Sequence, residues 1–362
     1  MGAGQQMIMW LQDCRTDALP LVGGKCASLG ELIHAGVRVP PGFALTTNAF
    51  RAFMAEGDLS RDVAAAVEGV DPRDLDALEA ASRQVRRRVE EAPFSTQMED
   101  LVAEHYRKLS VQCCMPATPV AVRSSATAED LPGASFAGQQ DTYLWIRGVD
   151  DLLERVKRCI SSLYTGRAIA YRARNGFRHG DVAIAVGVQK MAHAFCAGVM
   201  FTLNPSNGDR SSIVIDSNFG FGESVVSGEV TPDHFVVNKV SLEIVERTIS
   251  TKTVAHVLDS RAQRTVAQDV PPERQTVQSL IDDEITELAW MGKQIEKHYG
   301  RPMDIEWALD KRLPAGGNIF ILQARPETVW SAKASSSAQR DGAPKSSLDY
   351  ILATMIQGQR VH

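Results

Sequence analysis

Six cysteines are scattered over 362 residues without a Cys-x-x-Cys pair. That removes the usual zinc and dithiol redox motifs. It favours thiols kept reduced in a cytoplasm over a disulfide framework. No basic tract is present and the net charge is -5, so a surface that follows nucleic-acid phosphates is not expected. No apolar run approaches the ~20 residues of a membrane span. The amino terminus also lacks the charged-then-apolar order of a signal peptide. The expectation is a cytoplasmic protein with neither nucleic acid nor membrane as partner. The eight histidines show no metal-ligand spacing, and for His193 and His234, near strand ends, ordinary polar contacts are the simpler reading. Gly23-Gly24-Lys25 is not a Walker A loop, because Leu19 stands where the first glycine belongs. Asn218 to Gly222 holds a Gly-x-Gly, but Val225 occupies the place of the third glycine, which argues against a Rossmann dinucleotide site. There is no internal repeat.

What the chain does contain is ample apolar material, 44% of residues against 23% charged. At this length two or three lobes are expected rather than one core. Gly23-Gly24-Lys25 leads into an amphipathic helix that Gly36 is placed to stop, and Val39-Pro40-Pro41-Gly42-Phe43 breaks the chain into an extended turn. Residues 46–110 read as helical, with acidic and basic residues interleaved, and as a mostly exposed insertion. Pro119 to Arg123 reads as a strand, and Asp150 is placed to cap a long helix running through Leu153, Val156, Ile160, Leu163 and Ile169. Val182 to Met191 and Ser212 to Asp216 read as buried strands, and His234 to Val240 with Leu242 to Thr248 as a hairpin. A helix over about 276–299 follows. After Trp330 the composition turns to that of a flexible linker, residues 331–345. In the final stretch, 346–362, Leu348, Ile351, Leu352 and Met355 stand at helical spacing, which suits either a docking helix or a frayed tail.

The most telling stretch is Met303-Asp-Ile-Glu-Trp-Ala-Leu309 followed, after a loop, by Ile319-Phe-Ile-Leu-Gln-Ala-Arg-Pro326. Both runs alternate by two, a strand signal. Closed symmetrically as a hairpin, they set Glu306 opposite Gln323 and Asp304 opposite Arg325. Carboxylates, an amide and a guanidinium then project from one face of an apolar platform. Such a set suits a divalent cation beside phosphate oxygens, though cross-strand charge pairs are also common on exposed sheet faces. Arg123 stands at a strand end before a run rich in Gly, Ala, Ser and Thr, whose small residues let backbone N–H groups approach phosphates. As composition, that run is equally an ordinary surface loop. Gln189-Lys190-Met191, at another strand end, offers polar atoms to a purine or simply surfaces.

The order of these pieces resembles the amino-terminal ATP-grasp module of the pyruvate phosphate dikinase, phosphoenolpyruvate synthase and rifampicin phosphotransferase family. The resemblance is carried by Leu21-Val-Gly-Gly-Lys-Cys-Ala-Ser-Leu-Gly-Glu31, Val37-Arg-Val-Pro-Pro-Gly-Phe43 and Val122-Arg-Ser-Ser-Ala-Thr-Ala-Glu-Asp130. Further along it is carried by Ser135-Phe-Ala-Gly-Gln-Gln-Asp-Thr142, Val188-Gln-Lys-Met191, Phe219-Gly-Phe-Gly-Glu223, Asp304-Ile-Glu306 and Leu322-Gln-Ala-Arg-Pro326. It implies an α+β ATP-grasp fold over 119–330, preceded by a lobe, 1–118, with its helical insertion at 46–110, packing against the nucleotide site. By the same resemblance Lys25 and Arg123 contact the ATP phosphates, and Gly138 and Thr142 lie on a lid. Gln189, Lys190 and Met191 form the adenine-side hinge. Glu306 and Gln323 hold Mg²⁺, and Arg325 bridges the transferring phosphoryl group, so that Arg325, Lys25 and Arg123 carry the chemistry. Phe221 stands where the family usually has Leu, a change expected to affect packing.

Family members continue into a swivelling domain whose histidine is phosphorylated, and no histidine here has that context. The expectation is therefore the ATP-binding subunit of a divided dikinase-type phosphotransferase. It would use Mg·ATP to phosphorylate a histidine on a partner subunit, with AMP and phosphate as overall products. Phenol is the expected final acceptor, as in phenylphosphate-forming systems, with pyruvate as the alternative. A non-catalytic nucleotide-binding regulatory module and a piece of a longer enzyme are the other readings.

Overall fold

A computed structural model describes residues 6–127, 130–131, 134–135, 142–175, 182–259, 264–328 and 330. Gly138, the 331–345 linker and the 346–362 tail lie outside the described residues. In chain order the elements begin with strand β1 (Ile8–Trp10), helix α1 (Leu19–His34) and β2 (Gly42–Leu45). Four helices follow, α2 (Thr47–Ala55), α3 (Leu59–Val67), α4 (Leu75–Glu91) and α5 (Thr96–Gln112). Next come β3 (Val120–Ala126), the short β4 (Asp130–Leu131) and β5 (Ala134–Ser135), then β6 (Thr142–Ile146), α6 (Val149–Ser161), α7 (Gly166–Arg174) and β7 (Ile184–Lys190). The second half holds β8 (Cys196–Phe201), β9 (Ser212–Phe219), α8 (Glu223–Val226), β10 (Asp233–Asn238), β11 (Ile244–Thr248), β12 (Val254–Asp259) and β13 (Arg264–Asp269). It ends with α9 (Pro272–Gln275), α10 (Asp282–Tyr299), β14 (Met303–Leu309) and β15 (Ile319–Pro326).

The strands form a five-stranded sheet, β1-β2-β7-β3-β6, and a six-stranded sheet, β11-β10-β9-β8-β14-β15, with two small hairpins beside them. The neighbouring strands pair antiparallel throughout both large sheets. This is the α+β, ATP-grasp-like architecture expected. The first sheet draws β1 and β2 from before residue 118 and its other strands from after it. Among the described residues no helix is long and apolar enough to cross a membrane.

The helices of 46–110 are not an exposed appendage. Phe50 and Phe53 of α2, Val63 of α3, Val85 and Val89 of α4, and Val102 and Leu109 of α5 join Phe43, Val120, Val122 and Val188 of the first sheet in one core. The interleaved charges that suggested exposure occupy only the outer faces. The apolar residues recur at helical spacing and bury the inner stripe. The helix expected from Asp150 onward is also different: it starts from Gly148, and the chain breaks after Tyr164. There Thr165 turns extended and its hydroxyl accepts from Ala168 N at 3.2 Å, starting α7 anew. A threonine N-cap thus wins over a continuous apolar stripe.

A second core lies under the six-stranded sheet. Cys26, Leu29 and Leu32 of α1 and Ile285, Leu288 and Ile295 of α10 pack with Met200, Ile215, Phe235, Ile305 and Trp307 from alternate strand positions. With that face covered by helices, the side chains between these positions belong to the other face. There Val199, Phe201, Asp216, His234, Asp304, Glu306 and Gln323 are all only partly buried. Helix α1 contacts both sheets, touching β3 and β7 of the first and β15 of the second, so it fixes their separation at the point where they approach.

Candidate active site

Gly23 interrupts α1 with φ 71° and ψ 171°. A Cβ at this position would stand 2.1 Å from the carbonyl oxygen of Ser125. Only glycine allows that approach. The neighbouring contacts follow from it: Ser125 Oγ donates to the Val22 carbonyl at 2.8 Å and accepts from Cys26 N at 3.2 Å. Lys25 Nζ donates to the Ser124 carbonyl at 3.2 Å. Lys25 is thereby fixed beside the end of β3, next to Arg123. Sequence reasoning missed Ser125, although its place two residues after Arg123 was visible.

On the second sheet, β14 and β15 pair with Asp304 opposite Arg325 and Glu306 opposite Gln323, the register expected. After Glu306 the register shifts, Trp307 pairing with Ile321, so that Leu322 is bulged out of the ladder. Its carbonyl accepts from Arg123 Nη1 at 3.2 Å, and Arg123 Nη2 lies 3.9 Å from Glu306 Oε2. Arg325 places Nε at 2.8 Å and Nη2 at 2.7 Å from the same Asp304 oxygen. Burial pushes the Asp304 carboxyl above its usual range, against the pull of Arg325.

A narrow crevice between the sheets is lined by Lys25, Arg123, Ser125, Gln189 and Gln323. Gln189 is buried, and its Nε2 donates to the Pro40 carbonyl at 3.4 Å. Lys190 is half-buried, and its backbone N–H donates to Pro41 O at 2.8 Å. Met191 packs instead with Ala121, Trp145 and Phe221 in a separate apolar cluster. His193 stacks edge-on against Trp145 with centroids 4.8 Å apart, and burial lowers its pKa. Thr142 is exposed at the start of β6, paired with Arg123. The structure therefore brings Lys25, Arg123, Gln189, Glu306 and Gln323 together, with Asp304 and Arg325 alongside on the same sheet face. Met191 lies in the cluster beyond.

The implied Mg²⁺ fits the donor set. Among the described residues Glu306 has only its long pairing with Arg123, and the Gln323 amide has no hydrogen bond. Both side chains keep oxygens for a hard cation, which commonly takes one or two protein ligands and completes its shell with water and phosphate. No group of three or more His, Cys, Asp and Glu able to hold a metal occurs among the described residues, so phosphate oxygens would have to supply the remaining charge.

Residues 19–345 match the family model described as pyruvate phosphate dikinase, AMP/ATP-binding domain. A probable phosphoenolpyruvate synthase of Methanocaldococcus jannaschii is 46% identical over 328 residues, covering 91% of this chain and 27% of that protein. The phosphoenolpyruvate synthase of Aeropyrum pernix is 41% identical over 354 residues, 91% of this chain and 43% of that protein. That of Neisseria meningitidis serogroup B is 43% identical over 338 residues, 90% and 42% respectively. The chain thus spans less than half the length of these relatives.

Proposed function

This chain belongs to the pyruvate phosphate dikinase AMP/ATP-binding domain family, and on that premise we propose that it binds Mg·ATP between its two sheets and passes a phosphoryl group to a histidine on a partner subunit. The observation that carries this reading is the meeting of Arg123 from one sheet with Glu306 and the Leu322 carbonyl from the other. It closes a cationic, oxygen-lined pocket around the place where a polyphosphate would lie.

In this reading Lys25 and Arg123 neutralise phosphate charge from the first sheet while Glu306 and Gln323 hold the metal from the second. A Mg²⁺ held by Glu306 and Gln323 would supply Lewis acidity toward phosphate. Arg325, paired with Asp304 yet half exposed, reaches the migrating group. Asp304 orients that guanidinium, one of its carboxylate oxygens taking both the Nε and the Nη2 contact. Gln189 and Lys190, at the end of β7, receive the adenine, with Met191 packed in the apolar cluster beyond them. Catalysis is positioning and charge neutralisation, with no covalent role for these side chains. AMP and phosphate are the overall products. The relatives are named phosphoenolpyruvate synthases, which makes pyruvate the first final acceptor to test and phenol the second. The histidine that receives the phosphoryl group belongs, in this reading, to the partner.

The test is incubation with [β-³²P]ATP and a separately produced phosphohistidine-type domain from a relative or neighbouring gene. Label on the histidine is expected. Arg325→Ala should retain Mg·ATP affinity and lose the transfer. No label on the partner with ATP bound, or an Arg325→Ala protein that transfers normally, leaves only a nucleotide-sensing role.

A further inference from the structure

The registers of the six-stranded sheet place one polar pair, absent from the roles above, in line with the metal pair. Gln323 faces Glu306 across β15 and β14, Glu306 faces Val199 on β8, Val199 faces Asp216 on β9, and Asp216 faces His234 on β10. Directly opposed residues share a face. The five therefore form one lateral row on the side of the sheet away from α1 and α10, a side that α8 covers in part. The neighbouring row reads Arg325, Asp304, Phe201, Val214 and Val236. Between the two polar ends the floor is made of Val199 and Phe201, both partly exposed.

Within this row His234 Nδ1 is 2.7 Å from Asp216 Oδ1, and the two side chains are 37% and 21% exposed. The hydrogen bond to the carboxylate raises the imidazole pKa, with the Asp216 and Glu246 charges adding to it and burial opposing it. A ring bonded through Nδ1 to a carboxylate keeps Nε2 for another partner, and when protonated Nε2 is a donor. The charged groups around it are few. Asp216 comes from β9 and Glu246 from β11, β8 offers only apolar side chains, and Asp304 and Glu306 stand farther along on β14. Arg247 of β11 belongs to the opposite face, where it pairs with Asp282 of α10. The adjacent Asp233 is buried against Lys252. Toward the end of β9 the same face is met by α8 and β12, where Glu223 and Glu229 lie 3.8 Å and 3.0 Å from the ring of His256.

Resting on the nucleotide-phosphate reading, we propose that His234, held by Asp216, is a phosphate-binding residue that meets the phosphate chain on the same face as Arg325, from the other end of the row. Three inter-strand steps separate Glu306 from His234, ~14 Å between backbones. A polyphosphate extending from the metal pair along this row would cover such a span. Asp216 acts through His234 as its positioning residue: it fixes the ring and favours its charged form. The Val199 and Phe201 floor excludes water beneath the anion, which strengthens the contact. No sequence pattern hints at this row, because the partners lie on different strands and their alignment depends on three successive registers.

The test uses the full chain. Mg·ATP affinity is measured by calorimetry at pH 6 and pH 8 for the wild type, His234→Gln and Asp216→Asn. The His234 ring signals of the wild type are followed by NMR as Mg·ATP, and separately inorganic phosphate, is added. We expect His234→Gln to weaken Mg·ATP about tenfold at pH 6, one decade being one unit of log K, with the gap closing toward pH 8. Asp216→Asn should lower the midpoint of the His234 titration and give a smaller loss. The wild-type ring signals should shift on ligand addition, a readout that does not depend on any variant folding. Ring signals unmoved by saturating Mg·ATP, or His234→Gln binding like the wild type at both pH values while Arg123→Ala loses binding, overturn this inference and leave the nucleotide site standing. A wild type that binds no Mg·ATP at all overturns both.

Discussion

Arg123 and Glu306 belong to different sheets, separated by 183 positions in the chain, yet Arg123 Nη2 comes within 3.9 Å of Glu306 Oε2. The same guanidinium donates from Nη1 to the Leu322 carbonyl at 3.2 Å. One side chain thus spans the cleft and touches both strands of the hairpin that carries the inferred metal ligands.

That bridging fork makes Arg123 sensitive to shape as well as charge. Arg123→Ala should weaken Mg·ATP by about 1.5–3 kcal/mol, the usual worth of a hydrogen bond to a charged group. Arg123→Lys should restore little, because a point charge cannot reach a carbonyl and a phosphate in two directions at once. Calorimetry on both variants checks this; full recovery by lysine would show that only charge matters there.

Asp304 carries a pH signature. Its folded-state pKa lies above the ordinary carboxylate value, with burial as the largest cause. For a group raised in this way, the stabilisation belongs to the protonated form, is fully present below the unfolded pKa near 4 and is lost as pH rises through the folded pKa. At neutral pH the ionised carboxylate is therefore a net cost to the fold. Asp304→Asn should melt higher than the wild type at pH 7.5, with the difference shrinking toward pH 4, while phosphotransfer falls as Arg325 loses its anchor. A variant that melts lower at pH 7.5 would contradict this ordering.

Gly23 tests the positioning of Lys25. Gly23→Ala combines a positive φ with a Cβ 2.1 Å from Ser125 O, and should destabilise the chain by roughly 3 kcal/mol or more. Gly36→Ala is the matched control: its φ is 76° but no atom lies within 4 Å of the added Cβ. It should cost only about 1 kcal/mol and leave Mg·ATP binding unchanged. Denaturant melts of the two variants decide it, and equal losses would remove the special role of the Ser125 contact.

Much of the hairpin is legible in the amino-acid order alone. Alternation from Met303 to Leu309 and from Gln323 to Arg325 determines which residues share a face there, and the loop between the runs makes antiparallel pairing the economical closure. The pairing of Glu306 with Gln323 and Asp304 with Arg325 follows from those two facts. The bulge at Leu322 does not: it turns Ile319 and Ile321 to the core face, opposite Gln323 and Arg325, and the apolar run Ile319-Phe320-Ile321-Leu322 suits either face. The helices of 46–110 are legible as helices, but their burial is not. An amphipathic stripe announces that something covers it without saying what, and here the cover is the first sheet. The break before Thr165 is hidden beneath an apolar period that continues across it.

Local chemistry, then, is written in the sequence: alternation, caps, the glycine before Lys25, and the ordered motifs that mark the family. Only the tertiary structure decided which of these meet. Lys25 lies beside Arg123 because Gly23 admits the Ser125 backbone, and Arg123 reaches Glu306 because α1 holds two sheets together at one edge. His234 aligns with Glu306 only through the registers of four strands. Such contacts join residues far apart in the chain through packing and strand register, and no pattern confined to one segment encodes either.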